Sequence, residues 1–137
     1  MQFDTSSPIW VQLVGEFSRR IVTGEWAAGD KMPGVRELAT DLGVNPNTAQ
    51  RALAELERTG LCRSERASGR FVTSDQDRID EVRADLATDA ADEFVRRVRG
   101  LGMAHGQAHT LLDTRWDDHE HHATAHANSG HANNGGA

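Results

Sequence analysis

Two neighbouring stretches of the chain carry apolar residues at the spacing of a helix face. In each, apolar positions fall at i, i+3, i+4 and i+7, on one side of a short amphipathic helix. These positions are Val35, Leu38, Ala39 and Leu42 in the first stretch, and Ala49, Ala52, Leu53 and Leu56 in the second. Between them, Gly43 supplies a stop for the first helix, and Asn45 followed by Pro46 supplies an N-cap and a first-turn proline for the second. The pattern predicts a helix-turn-helix.

A short hairpin is predicted directly after the second helix. Residues 61–72 read LCRSERASGRFV, two short apolar strand candidates on either side of a basic tip that contains a glycine. Glycine permits the tight turn, and small residues let the tip approach another backbone closely. Residues 33–72 together predict a winged helix-turn-helix, a unit typical of DNA-binding proteins.

Helical spacing of apolar residues also predicts helices on both sides of this unit. The first covers residues 8–23, with Ser6 or Ser7 as its N-cap and Gly24 as its stop. Two more are expected after the hairpin, over residues 77–99 and 104–117. The intervening loop should contain at most a short strand near Lys31 and Met32 that pairs with the wing. We expect a mainly α fold with a small β wing, in which the winged helix-turn-helix is followed by a two-helix dimerisation arm.

The last part of the chain has no apolar periodicity, and its Ala, Asn, Gly and His content predicts disorder. The predicted domains are a winged helix-turn-helix over residues 1–75, a helical dimerisation region over 76–117, and a disordered His-rich tail over 118–137. Ordering a mobile tail costs entropy, so we expect only weak, adventitious metal binding there and no cofactor. The tail histidines are His119, His121, His122, His126 and His131.

The net charge of -6 by itself argues against a nucleic-acid partner, but the acidity is unevenly distributed. Residues 1–74 hold nine Lys/Arg and nine Asp/Glu, whereas residues 75–137 hold six and twelve. Binding to phosphate requires a local basic face rather than a basic total. Such a face is available in the motif from Arg36, Arg51, Arg63, Arg66 and Arg70.

Several classes of protein are disfavoured by length and composition. The chain of 137 residues has no room for an effector domain of ordinary size. Its single cysteine, Cys62, excludes an internal disulfide and argues against a zinc finger. No apolar run near 18 residues and no leader pattern occur, so we expect a soluble, cytoplasmic protein without membrane contact. We expect no enzyme either, because His105 and His109, one helical turn apart, lack a third fixed ligand or a cleft.

Residues that contact DNA follow from the face of the second helix opposite its apolar positions. The first turns of the second motif helix should reach base edges. Asn47 and Gln50 carry amides that can pair with adenine, and Arg51 carries a guanidinium that can pair with guanine. We expect the phosphate contacts to come from Arg36, Asn45 and Thr48, and the wing contacts from Arg66, Ser68, Gly69 and Arg70.

Intramolecular ion pairs are the alternative roles for the cations of the two motif helices. Arg51 and Arg58 could pair with Glu55 or Glu57 on the same helix, and we prefer this interpretation for Arg58. Arg36 could pair with Glu37 or Asp41, but its place in the motif favours DNA.

The stretch MPGVRELATDLGVNPNTAQRALAELERTGL, with RASGRFV after it, resembles the DNA-binding domain of the GntR family of bacterial transcription regulators. In that family a Leu-Pro-Ser-x-Arg-x-Leu-Ala segment leads into the helix-turn-helix, and a wing containing glycine ends in Phe-Val. The Asn-Pro-Asn-Thr start of the second motif helix and the short C-terminal part are similar to the YtrA-type subfamily, which implies a dimer. The departures are Gly34 in place of a phosphate-contacting Ser, Ala67 in place of the first wing Gly, and Arg70 in place of Thr.

The C-terminal helices carry more apolar surface than two helices can cover on each other, which favours a homodimer. The predicted dimerisation residues are Phe94, Val98, Leu101, Leu111, Leu112 and Trp116. We expect a homodimeric repressor that binds an inverted-repeat DNA operator. A small-molecule effector could occupy the seam near Gln107 and Arg115. The competing hypothesis is a winged-helix protein–protein interaction module without sequence-specific DNA binding.

Overall fold

The structure is a computed structural model that describes the backbone of residues 1–132 and the side chains of residues 1–123. Over the described residues it contains helices and one small antiparallel sheet. The elements in chain order are α1 (Ile9–Val22), α2 (Val35–Leu42), α3 (Pro46–Arg58), β1 (Cys62–Glu65), β2 (Gly69–Val72), α4 (Gln76–Gly100) and α5 (His105–Ala132). The predicted fold class, mainly helical with a small β wing, is confirmed.

The core of the N-terminal unit lies where α1, α3 and the sheet meet. Leu13 and Phe17 of α1 are completely buried, as are Leu53 and Leu56 of α3. Val72 from β2 is also buried within this cluster. Burying such side chains is favourable by about 1.5–3 kcal/mol each, so this contact fixes which side of α3 remains exposed.

The turn between α2 and α3 forms as its residues predict. Gly43 ends α2 in the left-handed conformation at φ +67°, a conformation that costs glycine little. Asn45 then caps α3, because its side-chain oxygen accepts a hydrogen bond of 2.8 Å from the backbone N–H of Asn47. Pro46 occupies the first turn of α3, where its missing N–H removes no helical hydrogen bond.

The wing is the β1–β2 hairpin, whose register pairs Cys62 with Val72 and Glu65 with Gly69. Ala67 adopts a positive φ of 63° at its tip, so a residue with a Cβ occupies a conformation that glycine usually takes. Lys31 forms an isolated antiparallel bridge with Phe71. The short strand predicted near Lys31 is therefore present as a single bridge beside the wing.

The predicted capping of α1 by Ser6 or Ser7 is wrong. Pro8 occupies the N-cap position, with no side-chain hydrogen bond. Ser6 instead donates its hydroxyl to the Asp4 carboxylate. The amide of Gln12 donates to the backbone oxygens of Asp4 and Ser7 at 2.9 Å each, so a side chain within α1 holds the segment before it.

The compact unit that contains the helix-turn-helix continues past residue 75, where the sequence predicts the end of the DNA-binding domain. Ile79 and Val82 of α4 are buried in the same core as α1 and α3. Arg78 also donates from Nε to the backbone oxygen of Thr59 at 2.8 Å. The N-terminal compact unit accordingly extends from Met1 to Asp89, and the first turns of α4 belong to it.

The second unit starts at Ala90 and contains the end of α4 together with α5. Val98 and Ala108 are buried here. The disorder predicted from residue 118 stays a prediction: the structure describes helix α5 as far as Ala132, and residues 133–137 lie outside the described residues. Most residues of this segment, among them His, Asn, Asp and Gly, have low intrinsic helix propensity.

None of the helices described in the structure is both long and apolar enough to cross a membrane.

The carboxylate of Glu16 on α1 makes the stability of the folded protein depend on pH. Glu16 accepts hydrogen bonds from Arg19 at 2.8 Å and from Arg20 at 3.1 Å. The Arg19 hydrogen bond is the main reason that the pKa of Glu16 falls from 4.5 to about 2. Between these values the unfolded chain binds more protons, so the stabilisation is complete above about pH 4.5 and is lost as the pH falls towards 2.

We therefore expect Glu16→Gln to flatten the decline in stability below pH 4.5. The free energy of unfolding of both proteins should be measured by urea titration from pH 6 downward. The difference between them should stay constant at the high-pH end and shrink as the pH falls. Parallel curves throughout would contradict this role of Glu16.

Candidate nucleic-acid interface

The exposed face of α3 begins at its first turn. Asn47, Gln50 and Arg51 are all exposed, on the side opposite the buried Ala49 and Ala52. Among the described residues, the side-chain amides of Asn47 and Gln50 have no hydrogen-bond partner. Their donors and acceptors are therefore available to another molecule, whereas Thr48 beside them is half-buried.

Asn45 has a structural task that limits its role at a surface. Its side-chain oxygen already caps α3 through the N–H of Asn47. The N–H of Thr48 donates to the backbone oxygen of Asn45 at 3.0 Å, so the attraction of this end of α3 for anions comes from the partial positive charge of the helix dipole. Asn45 thus contributes to an interface mainly by fixing where α3 starts.

Arg51 lies against the aromatic ring of Trp10, a contact that the sequence analysis did not predict. Its Cζ atom lies 4.1 Å from the centroid of the Trp10 ring. Trp10 belongs to α1 and is half-buried. The predicted alternative, pairing of Arg51 with Glu55 or Glu57, does not occur in the described part of the chain.

Arg58, by contrast, is engaged within α3, as preferred from the sequence. Its Nε donates to Glu55 at 2.9 Å. This hydrogen bond lowers the pKa of Glu55 and raises that of Arg58. Arg36 is exposed and forms no ion pair with Glu37, Asp41 or any other described residue.

Two cations of the wing strands are engaged or partly buried within the protein. Arg63 lies over the Phe71 ring at 5.5 Å and contacts Glu65 at 3.2 Å, so it is engaged within the sheet. Arg70 is half-buried, and its Nε is buried without a hydrogen-bond partner among the described residues. Arg66 and Ser68 are exposed at the tip.

A groove of about 1000 Å³ separates the wing from the start of α2. Its lining includes Gly34 at the N-terminus of α2, Ser68 and Gly69 at the wing tip, and the cations Lys31 and Arg70. Glu37 and Glu65 line it as well, so the groove is not purely basic. Lys31, the single lysine, was predicted to pair with the wing but was not counted among the basic residues of the motif.

Within residues 1–89, the cations without an ion pair share one location. They lie on α2, on α3, on the wing or on the segment bridged to the wing, whereas the remaining arginines of this unit are paired with carboxylates. The unpaired cations are Lys31, Arg36, Arg51, Arg66 and Arg70. This arrangement concentrates positive charge on the helix-turn-helix and wing.

Cys62 is buried, and burial raises the pKa of its thiol to about 11, with the charge of Glu57 adding to the effect. The thiol is therefore protonated at neutral pH and poorly nucleophilic. Within the described part of the chain, no three metal-ligating side chains stand together.

Comparison with known proteins identifies the family. The family described as "Bacterial regulatory proteins, gntR family" matches residues 11–72. The HTH-type transcriptional regulator YhcF of Bacillus subtilis (strain 168) is 37% identical over 102 residues, which are 74% of this chain and 84% of YhcF. The chain belongs to the GntR family of bacterial transcriptional regulators. The resemblance predicted from its motifs is confirmed.

Other relatives extend this GntR assignment beyond the helix-turn-helix. A solved "GntR family transcriptional regulator from Listeria monocytogenes" is 40% identical with a TM-score of 0.73, over 82% of this chain and 98% of that one. The "HTH-type transcriptional repressor YtrA" of Bacillus subtilis (strain 168) is 39% identical over 69 residues, 50% of this chain and 53% of YtrA. These relatives are named as regulators of transcription and not as enzymes.

We expect Asn45→Ala to lower the free energy of unfolding by about 1 kcal/mol, because the first turn of α3 loses its side-chain cap. Asn45→Ser should retain most of the stability, since a hydroxyl can accept the same hydrogen bond. Thermal and urea unfolding of the three proteins measure this. Equal stability of the Ala and Ser variants would contradict a capping role.

Proposed function

We propose that this GntR regulator is a sequence-specific repressor that binds DNA as a homodimer, with α3 in the major groove. The observation that carries the proposal is the exposed start of α3, where Asn47 and Gln50 present amides with no partner among the described residues. A surface for a protein partner would be expected to expose apolar side chains here. Polar groups at the first turns of a recognition helix are those that reach base edges.

The proposed base contacts are of two chemical kinds, amide and guanidinium. Asn47 and Gln50 each carry an amide that can pair in a bidentate manner with adenine, and Arg51 carries a guanidinium that can do so with guanine. Each such contact contributes about 1–3 kcal/mol of discrimination against a wrong base. These three side chains would therefore determine most of the sequence preference within one half-site.

The proposed phosphate contacts surround the base contacts. Arg36 in the first turn of α2 is exposed and unpaired, and Thr48 lies near the start of α3. At the wing, Arg66 is placed to reach the backbone or the minor groove together with Ser68, Gly69 and Arg70. We add Lys31, which lines the same groove as the wing tip.

The second unit supports the dimer proposal through its exposed apolar residues. The six predicted dimerisation residues differ in exposure. Val98 is buried and Phe94 is half-buried within the unit. The other four stay exposed by 38–80%: Leu101, Leu111, Leu112 and Trp116. A second copy related by a two-fold axis would remove this surface from water.

An effector site has less support than the dimer. Gln107, predicted to line the seam, accepts a hydrogen bond from the N–H of Ala104 at 2.9 Å and thereby caps the start of α5. A shallow groove along α5 includes Leu112, Arg115 and Trp116, which belong to the surface we assign to the partner copy. We therefore include no effector in the proposed mechanism.

Repression follows from occupancy of an operator that overlaps a promoter, and one relative, YtrA, is named a repressor. A two-fold dimer sets its recognition helices about one DNA turn, roughly 34–36 Å, apart or a multiple of this. The proposed operator is accordingly an inverted repeat. Both half-sites must be engaged at once for tight binding, since the second contact benefits from a high effective concentration.

We expect Arg51→Ala to reduce the preference for the operator over random duplex by roughly tenfold or more, in line with the loss of one bidentate contact. Arg58→Ala is the matched control on the same helix, because Arg58 is engaged with Glu55, and it should leave the preference unchanged. Arg36→Ala should weaken binding to both duplexes alike. The slope of log affinity against log salt concentration should become shallower by the amount expected for roughly one phosphate contact per protomer. Fluorescence anisotropy at several salt concentrations measures all three.

If Arg51→Ala instead weakens binding to the operator and to the random duplex equally, Arg51 contacts only the DNA backbone. If the unaltered protein does not discriminate between operator and random duplex, the proposed function is wrong.

For the dimer, we expect full-length protein carrying Leu112→Glu with Trp116→Ala to sediment as a monomer at micromolar concentration, where the unaltered protein is a dimer. A carboxylate buried in an apolar interface is costly, so the substitution opposes association. Asp85→Ala, at an exposed position of the N-terminal unit, is the control. A monomeric unaltered protein, or a variant that remains dimeric, would contradict the assignment of this surface.

A further inference from the structure

The contact between Trp10 and Arg51 joins α1 to the exposed face of α3. The guanidinium carbon lies 4.1 Å from the centre of the indole. Trp10 is half-buried, whereas the residues on either side of it, Ile9 and Val11, are exposed by 44% and 41%. The ring is thus held by α1 at a position where a side chain from α3 can cover it.

This stacking leaves the donors of Arg51 available. A cation over an aromatic ring interacts through the face of the guanidinium, while the N–H groups point outward in its plane. Arg51 has no carboxylate partner in the described part of the chain. Its hydrogen-bonding capacity is therefore unsatisfied by the protein while its direction is restrained by the indole.

Restraint of the Arg51 side chain before DNA binds matters because arginine is flexible. An exposed arginine samples many rotamers, and fixing them on binding carries an entropic cost of up to about 2 kcal/mol. A side chain that is already oriented before binding avoids part of this cost. Stacking on an exposed aromatic ring contributes about 0.5–1 kcal/mol, which is sufficient to favour one orientation without preventing adjustment at the DNA.

We propose that Trp10 is a positioning residue that holds the Arg51 guanidinium in the orientation that reads DNA. The inference rests on the proposed function and deepens it, since it assigns part of the sequence specificity to α1, outside the helix-turn-helix. Trp10 acts through Arg51. Removing the indole should therefore have little effect on DNA binding once Arg51 is gone.

The test is a double-mutant cycle in full-length protein with Trp10→Leu, Arg51→Ala and the pair of substitutions together. The DNA is the duplex recovered by selection from a random-sequence library, compared with a scrambled duplex of equal length. We expect Trp10→Leu to weaken binding to the selected duplex about two- to fivefold and to reduce discrimination, in line with the size of a cation–π contact. In the Arg51→Ala background the same substitution should have no further effect.

Two controls separate positioning from folding. Trp10→Phe keeps a ring for the guanidinium and should retain most of the affinity, although Trp is the best partner for a cation. Thermal unfolding of each variant reports stability independently of DNA. If Trp10→Leu impairs folding, the cycle is run with Trp10→Phe, which should show a smaller coupling of the same sign.

Additive effects of the two substitutions would overturn the proposal, because Trp10 would then act independently of Arg51. Equal weakening on selected and scrambled duplexes by Trp10→Leu would also overturn it. If the unaltered protein binds the selected and scrambled duplexes equally well, both this inference and the proposed function are wrong. If it prefers the selected duplex but the effects of the two substitutions are additive, only this inference is wrong.

Discussion

Burial of one face of α3 is the constraint on which the rest of the structure depends. Ala49, Ala52, Leu53 and Leu56 are all completely buried. The two alanines have short side chains, which lets the helix lie close to its neighbours, while the leucines fill the space between α3, α1 and the sheet. Because this face is fixed by packing, the rotation of α3 about its axis is fixed too. The polar face that we assign to DNA follows directly from that rotation.

The distribution of charge explains how an acidic chain can bind an acidic polymer. The net charge is -6, yet in the N-terminal unit most arginines away from the motif are neutralised by nearby carboxylates. Those on the helix-turn-helix and wing lack such partners among the described residues, with Arg58 and Arg63 as the exceptions. Local pairing, rather than total composition, therefore determines where a polyanion would be attracted.

The sequence was sufficient for the elements that depend on local rules. The α2–α3 turn was predictable because Gly43, Asn45 and Pro46 each favour one backbone state. Features that depend on contacts between distant segments were not. The contact of Arg51 with Trp10 needs α1 beside α3, and the groove that Lys31 and Arg70 line needs α2 beside the wing.

The structure differs from the sequence-based predictions in the extent of two segments. The domain boundary was drawn where the wing ends, although Ile79 and Val82 beyond it complete the same core. The tail was predicted to be disordered because it lacks an apolar stripe, whereas the structure describes α5 as a helix to Ala132. The candidate DNA contacts remain predictions.

Amide hydrogen exchange of the full-length protein, with and without a duplex selected from a random library, tests the central claim most directly. The first N–H groups of α2 have no side-chain cap, so they exchange readily until a ligand binds them, whereas DNA that covers α3 and the wing tip slows exchange there by excluding water. The account predicts slowed exchange at the starts of α2 and α3 and at the wing tip when DNA is bound. Unchanged exchange at these three places, with protection confined to α4 and α5, would contradict it.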